Sequence, residues 1–361
     1  MPVLRKLNQV LVVLLLLLLY LILHSLLLGT SSRPKPDRRK VLGDPAQTSS
    51  TGESEDDDVI PVVTCASVER VGATMATINS IVSNTDAKVF FYVVTLRDAV
   101  KLTRRYIEKS KLKGIQYKML EFNPMVLQGK VKAETSRPEL LHPLNFVRFY
   151  LPLLGISHER VVYLDDDVII QSDIKDLYNI KLKSGHAAAF ATDCDLPPSH
   201  EMVRSIGMQT TYMGFLDYRK QEVKDLDINP SDCSFNPGVF VADLKEWKKQ
   251  KITKQLEQWM EENVRKNIYS SAMAGGVATP PMLIVFHDRY TTLDPLWHVR
   301  HLGWSPDARY SESVLREAHL LHWNGPLKPW HYPAVHWELW EKWFVPDPSR
   351  RFTLTRPDRD H

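Results

Sequence analysis

Val161-Val162-Tyr163-Leu164-Asp165-Asp166-Asp167-Val168-Ile169-Ile170 sets three consecutive carboxylates inside a frame of apolar and aromatic side chains. The frame calls for burial and the carboxylates resist it, because adjacent like charges raise one another's pKa and each loses hydration. A fold can satisfy both demands by ending a buried strand at a cation-binding site. Side chains at i and i+2 of a strand share a face, so Asp165 and Asp167 are expected to aim at one ion and Asp166 to turn away. A solvated turn is the alternative. The same tripeptide at Asp56-Asp57-Asp58 follows the polar run Thr51-Gly52-Glu53-Ser54-Glu55 and has no apolar frame, so it reads as solvated linker.

The alternation of signals around this run predicts the fold class. Strand-like residues at 59–66 are followed by a helical pattern at 74–82, a strand at 88–95, a helix at 97–113 and a strand at 115–121. This is the pattern of an α/β domain with a largely parallel sheet. Ligands of such sheets bind beyond the carboxyl ends of strands, where residues 64–71 and 165–167 both fall. Further on come a short strand at 187–191 ending at Asp193, Cys194 and Asp195, the polar turn Asn236-Pro237-Gly238 feeding an apolar run, and one long helix at 244–265. The domain is expected to span 59–346, with 347–361 a C-terminal tail. Trp337, Leu339, Trp340, Trp343 and Phe344 fall near helical spacing and read as a core stripe rather than a sugar platform. For Trp330, packing and stacking on a sugar both remain open.

The 361 residues are 43% hydrophobic and 25% charged with a net charge of +3, a globular balance with no reason to expect a nucleic-acid partner. Cys65, Cys194 and Cys233 lie far apart without a CxxC pair, which argues against a zinc module and permits one internal disulfide at most. Residues 10–28 are apolar except for His24 and Ser25. About 19 residues of helix reach across a bilayer core, and the apolar part of a cleaved signal peptide is usually only about 7–15 residues long. A signal-anchor transmembrane helix at 10–28 is therefore expected, with Arg5 and Lys6 holding a cytosolic tail at 1–9. Arg33, Lys35, Arg38, Arg39 and Lys40 place positive charge on the other side as well, and cleavage near Gly29 would instead release a secreted protein. Residues 29–58 have little to bury and read as a flexible stem.

His322-Trp323-Asn324-Gly325-Pro326-Leu327-Lys328-Pro329-Trp330 is the second unusual stretch. A histidine joining Asp165 and Asp167 would complete an O,O,N ligand set suited to Mn²⁺ with positions left for phosphate oxygens. Gly325 would let backbone approach a phosphate and Lys328 would bring charge to it. Taken alone, His322 reads more readily as a structural or surface histidine than as a ligand.

Tyr163-Leu164-Asp165-Asp166-Asp167-Val168, Asn236-Pro237-Gly238-Val239 and His322-Trp323-Asn324-Gly325 with Lys328-Pro329-Trp330 resemble, in order and spacing, the motifs of family 8 retaining glycosyltransferases. The likeness covers about 59–330 and is strongest to the animal glycosyltransferase 8 domain-containing proteins, short-stemmed single-pass Golgi-type proteins. It implies a GT-A fold, Rossmann-like with a mostly parallel central sheet, in a single catalytic domain behind the N-terminal helix. It also implies a type II protein of the Golgi membrane, its domain in the lumen, using a UDP-hexose (galactose or glucose) and Mn²⁺. By that resemblance Asp165, Asp167 and His322 are the metal ligands, and Lys328 and Gly325 sit at the diphosphate. Arg148, within Phe146-Val147-Arg148-Phe149-Tyr150-Leu151-Pro152, reaches the donor. Asn236 and Gly238 face the sugar or acceptor, and Asp193 contacts the donor sugar's hydroxyls with Asp195 in reserve. Asn236, Asp193 and Lys328 are thus the catalytic candidates, and Asp166 joins the donor-binding set without a specific role. A Cys194–Cys233 disulfide near the site is a further hypothesis of the resemblance.

Two departures from the family pattern bear on mechanism. Where many members carry a polar side chain beneath the anomeric carbon, this chain has Thr279-Pro280-Pro281-Met282, with no carboxylate or amide. A double displacement needs such a nucleophile. The sequence therefore favours front-face attack, with the metal and Lys328 stabilising the leaving UDP. Where members often stack an aromatic ring on the base, this chain has Ser67-Val68-Glu69-Arg70-Val71-Gly72. Ser67 and Glu69 are candidates for uridine hydroxyls or base edges, and an ordinary capped loop is the alternative. Two functions stay open: a Mn²⁺-dependent hexosyltransferase acting on a glycan, lipid or protein acceptor, and a non-catalytic UDP-sugar- or glycan-binding partner of the same fold. A metal-dependent phosphohydrolase would need a threonine motif and lysine that are not found.

Overall fold

Val59–Ala66 forms β1, buried from Ile60 onward, and such a strand needs neighbours on both edges and cover on both faces. α1 (Val71–Ser83), β2 (Lys88–Thr95), α2 (Val100–Glu108) and β3 (Gln116–Glu121) follow, with β2 beside β1 and β3 beside β2, all parallel. β4 (Arg160–Leu164) lies parallel on the other edge of β1, so β1 is the strand at which the chain changes direction across the sheet. The chain is described here from a computed structural model over residues 59–132, 138–192, 213–270, 277–306 and 310–356.

β5 (Val168–Ile170), β6 (Ala188–Ala191), β7 (Val239–Asp243), β8 (Thr291–Leu293) and β9 (Leu320–His322) complete the strands described. Among the described residues the main sheet has seven strands in the order β3-β2-β1-β4-β7-β6-β8, with β7 antiparallel to β4 and β6. β5 and β9 form a separate antiparallel pair. The α/β class and mostly parallel sheet expected from the sequence are thus present.

The triple-Asp run departs from expectation. β4 stops at Leu164 and residues 165–167 are the link to β5, which leaves the main sheet for β9. Strand alternation therefore does not apply, and Asp166 is not turned away. The freed backbone finds partners on α1 and its C-cap, where Thr77, Ser80 and the capping Asn84 share a face at helical spacing. Thr77 Oγ1 donates between the carbonyls of Asp166 (3.1 Å) and Val168 (2.7 Å), and Ser80 Oγ accepts the Ile170 N–H at 3.0 Å. Asn84 Nδ2 donates to the Ile170 carbonyl at 3.0 Å.

The expected helix at 244–265 is two helices, α3 (Leu244–Lys249) and α4 (Ile252–Lys266). Lys251 takes a left-handed φ of 55° between them, and Thr253 Oγ1 fixes the joint by donating to the Phe149 carbonyl at 2.5 Å. α5 (Thr279–Phe286) is buried from Pro280 to its end. α6 (Trp337–Glu341) buries Trp340 against Trp330, with ring centroids 5.6 Å apart. Trp330 is only 2% exposed, so packing is its role. The folded unit also runs past residue 346. Phe352 is buried on Gly72 of α1, where a Cβ would come within 2.1 Å of its ring.

No helix among the described residues is long and apolar enough to cross a membrane. The expected membrane segment, and with it a single-pass type II placement in the Golgi membrane, is therefore not supported. Residues 10–28 and the expected stem lie outside the described residues. Cys65 is free and buried, whereas Cys233 is disulfide-bonded; its expected partner Cys194 lies outside the described residues.

Candidate functional site

The strand pattern brings three distant segments to one point. Because β7 runs antiparallel to β4, Val239 pairs with Leu164, and the turn Asn236-Pro237-Gly238 meets Asp165. The Asp165 N–H donates to the Gly238 carbonyl at 2.8 Å. Because β9 runs antiparallel to β5, His322 pairs with Val168, and the Trp323 N–H donates to the Asp167 carbonyl at 3.0 Å. Beyond these strand ends opens a cavity of about 590 Å³.

Each carboxylate of the pair has one oxygen held by a cation. Arg148 Nη2 lies 2.7 Å from Asp165 Oδ1, while Lys328 Nζ and Arg70 Nη2 lie 2.6 and 2.8 Å from Asp167 Oδ2. The other two oxygens turn toward His322, whose Nε2 is 2.9 Å from Asp167 Oδ1 and 3.9 Å from Asp165 Oδ2. One ligand atom from each of Asp165, Asp167 and His322 thus lies within 4.8 Å of the others. A carboxylate, carboxylate, imidazole set suits a divalent cation. The cradle is closed from behind by Gly238, where a Cβ would come within 2.5 Å of His322 Cε1 and 2.6 Å of Asp165 Oδ2. The residues present therefore fit a metal ion.

Charge follows this geometry. Burial works against ionised Asp167, but Lys328, His322 and Arg70 outweigh it and hold its carboxyl well below the usual carboxylate range. Burial pushes the Asp166 carboxyl up to about 7, with Arg70 pulling against it and Asp167 and Asp165 adding to it. Lys328 is lowered by burial, which its Asp167 partner partly offsets. Arg148 is anchored twice more, donating through Nη1 to the Pro237 carbonyl at 2.5 Å and through Nε to the Asn145 carbonyl at 3.0 Å.

Of the residues singled out in the sequence, Ser67, Glu69, Arg148, Asp165, Asp166, Asp167, Asn236, His322 and Lys328 line the cavity. Asn236 Oδ1 accepts the Gly238 N–H at 2.8 Å, and Ser67 Oγ accepts the Arg70 N–H at 3.2 Å, capping its loop. Thr279 also lines the wall, at the start of α5. Gly325 is packed on the Gly303 loop: a Cβ there would come within 2.2 Å of the Gly303 backbone, so its bareness serves loop packing. Asp193 and Asp195 lie outside the described residues.

Two further residues join the site. Arg70 bridges Asp167 and Asp166, the latter at 2.5 Å, and its guanidinium lies 5.3 Å from the centre of the Trp330 ring. Its position just past β1 was the available signal. His298 Nε2 lies 2.8 Å from His322 Nδ1. Burial, then His322 and Arg300 beside it, hold His298 well below the ordinary histidine range. No local pattern marked it.

The glycosyl transferase family 8 model matches residues 61–334. This chain belongs to glycosyl transferase family 8. It is 59% identical to human glycosyltransferase 8 domain-containing protein 2 over 98% of this chain and 99% of that one. It is 45% identical to human glycosyltransferase 8 domain-containing protein 1, over 98% and 97%. Its fold matches the galactosyltransferase LgtC, solved in complex with donor and acceptor sugar analogs, at a TM-score of 0.56 and 15% identity, covering 83% of this chain and 98% of that one. GlyE of Streptococcus pneumoniae TIGR4 gives 0.51 at 16% identity, covering 79% and 60%. Family 8 membership and the GT-A fold support glycosyltransferase activity, with a nucleotide-sugar donor and an acceptor.

Proposed function

We propose that this family 8 chain is a retaining hexosyltransferase that takes galactose or glucose from a UDP-hexose. The observation that carries this reading is the convergence of Asp165 Oδ2, Asp167 Oδ1 and His322 Nε2 at the wall of a cavity large enough for a nucleotide sugar. A Mn²⁺ ion held by these atoms would neutralise charge developing on the leaving diphosphate. Lys328, held at the same wall by Asp167 and the Trp323 carbonyl, supplies further positive charge to that diphosphate. Arg148 orients Asp165, and Asn236 lines the wall above Gly238, where the sugar or acceptor is expected. Ser67 and Glu69 border the cavity at the end of β1 and serve the uridine.

At the wall formed by the start of α5 stand Ala278 and Thr279, with neither carboxylate nor amide. That favours attack by the acceptor on the face from which UDP departs over a covalent sugar–enzyme intermediate, which needs a nucleophile. UDP release from a panel of UDP-hexoses with Mn²⁺ tests the reading. Turnover is expected with at least one donor and is expected to vanish in Asp165→Ala plus Asp167→Ala. Measurable UDP binding without turnover across acceptors would instead favour a non-catalytic binding partner, and turnover that survives the double substitution would refute the metal site.

A further inference from the structure

His298 is 1% exposed and is not among the residues that line the cavity. Its place is fixed by the backbone: it ends the short 3-10 turn Pro295–His298, and the bridge of Val299 to Leu321 seats it beside β9. The Val299 N–H donates to the Leu320 carbonyl at 3.0 Å and the His322 N–H to the Val299 carbonyl at 2.9 Å. The two imidazoles lie nearly parallel, 16° apart, joined through His298 Nε2 and His322 Nδ1 at 2.8 Å. His298 Nδ1 has no hydrogen-bond partner among the described residues.

The proton inventory of this pair is restrictive. Asp167 Oδ1 is an acceptor, so neutral His322 carries its hydrogen on Nε2, and its Nδ1 accepts from His298 Nε2–H. That leaves the cheaper orphan, a lone pair, on His298 Nδ1. Ligating a cation through Nε2 requires His322 to carry its hydrogen on Nδ1 instead, and that hydrogen needs an acceptor. His298 Nε2 becomes that acceptor when His298 carries its hydrogen on Nδ1 instead. Both rings exchange tautomer: the hydrogen on His298 Nε2 passes to His322 Nδ1, the Nε2 hydrogen of His322 is given up on the cavity side, His298 Nδ1 takes one up, and the pair's proton count is unchanged.

The geometry points to His298 as the positioning residue that lets His322 present its Nε2 lone pair to a divalent cation. This inference rests on the metal reading above and adds a second residue behind the ligand. Full-length protein titrated with Mn²⁺ by calorimetry tests it. Loss of such a partner typically weakens metal binding about 10–100-fold, so His298→Leu is expected to do so. His298→Gln, whose amide oxygen can accept from His322 Nδ1–H, is expected to recover most of it. Mn²⁺ affinity in His298→Leu within twofold of wild type overturns the inference alone, and wild-type protein without Mn²⁺ affinity overturns the metal reading together with it. Should His298→Leu fail to fold, imidazole ¹⁵N shifts of wild-type protein with and without Cd²⁺ decide: exchange of tautomer in two histidines supports the relay, and unchanged tautomers refute it.

Discussion

Arg148 Nη2 and Asp165 Oδ1 stand 2.7 Å apart, and the same guanidinium carries the Pro237 and Asn145 carbonyls. One buried side chain thereby ties the triple-Asp link to the turn before β7. Lysine has no fork with which to reach three acceptors, so Arg148→Lys is not conservative here. Arg148→Ala leaves Asp165 without its cation. Breaking a buried pair costs about 3–5 kcal/mol, and the partial exposure of Asp165 places the expected loss near the lower end, about 3 kcal/mol. Denaturant unfolding of the variant measures this, and an unchanged midpoint would contradict it.

Gly238 and Gly325 are expected to fail in different ways. A Cβ at Gly238 intrudes between His322 and Asp165, so Gly238→Ala should lose Mn²⁺ binding and keep most of its stability. A Cβ at Gly325 meets backbone of Gly303 and Trp304 that cannot rotate aside, so Gly325→Ala should lower the Tm by several degrees. Melting curves and Mn²⁺ titrations on both variants give the comparison. Equal behaviour of the two would show that this division of roles is mistaken.

The contrast between those glycines shows what was legible in the sequence. β1, β2 and β3 were readable because strand periodicity and turn residues are local, and residues 88–95 match β2 end for end. Asp165, Asp167 and His322 were readable as types, since carboxylates in an apolar frame have few uses. Their approach was not, because it depends on β5 leaving the main sheet to pair with β9 across 150 or so intervening residues. Asp166 was misplaced for that reason, as strand alternation ends at Leu164. Gly325 reads from the sequence as a glycine at a phosphate, and its packing against the Gly303 loop becomes visible only in the fold. His298 reaches the site through a single backbone bridge and left no periodic trace.

Cys65 lies at the cavity wall yet should not react. Burial pushes its thiol up to about 12, with Asp165 adding to the effect and Arg148 opposing it. The thiolate is the nucleophile, so at pH 8 iodoacetamide should leave Cys65 unlabelled in folded protein and modify it after unfolding. Peptide mass mapping reads the outcome. Rapid labelling of the native protein would contradict this burial.

Asp347 fastens the segment that covers α1. Burial opposes its charge, but the N–H groups of Phe352, Ser349 and Arg351 and the Ser349 hydroxyl hold its carboxyl below the usual range. A folded-state value below the unfolded one, about 3.9, means the contribution is complete above that unfolded value and disappears as pH falls through the folded value. Asp347→Asn should cost roughly 1–2 kcal/mol at pH 7. The gap between variant and wild type should close in acid, as denaturant midpoints measured from pH 7 down to pH 2 would show. A gap independent of pH would assign the effect to shape rather than charge.

The ion pairs around the triple Asp come close to balance before any ligand arrives: Asp165 and Asp167, with Asp166 partly ionised at neutral pH because its carboxyl is pushed up to about 7, face Arg148, Arg70 and Lys328. A divalent cation alone adds two positive charges to a nearly balanced, buried cluster, and a diphosphate alone adds negative charge beside three carboxylates. Together they cancel, so each should tighten the other. Coupling between sites is commonly worth about 1–3 kcal/mol, or 5–150-fold, and must be reciprocal. Mn²⁺ affinity is therefore expected to rise at least about fivefold in saturating UDP, and UDP affinity to fall by the same factor when EDTA removes the metal. Arg70 sits on both Asp166 and Asp167, so Arg70→Ala should shift the balance: it unmasks negative charge, strengthens Mn²⁺ binding without UDP, and shrinks the coupling. Calorimetric titrations of wild type and variant complete the cycle, and equal Mn²⁺ affinity with and without UDP would refute the charge argument.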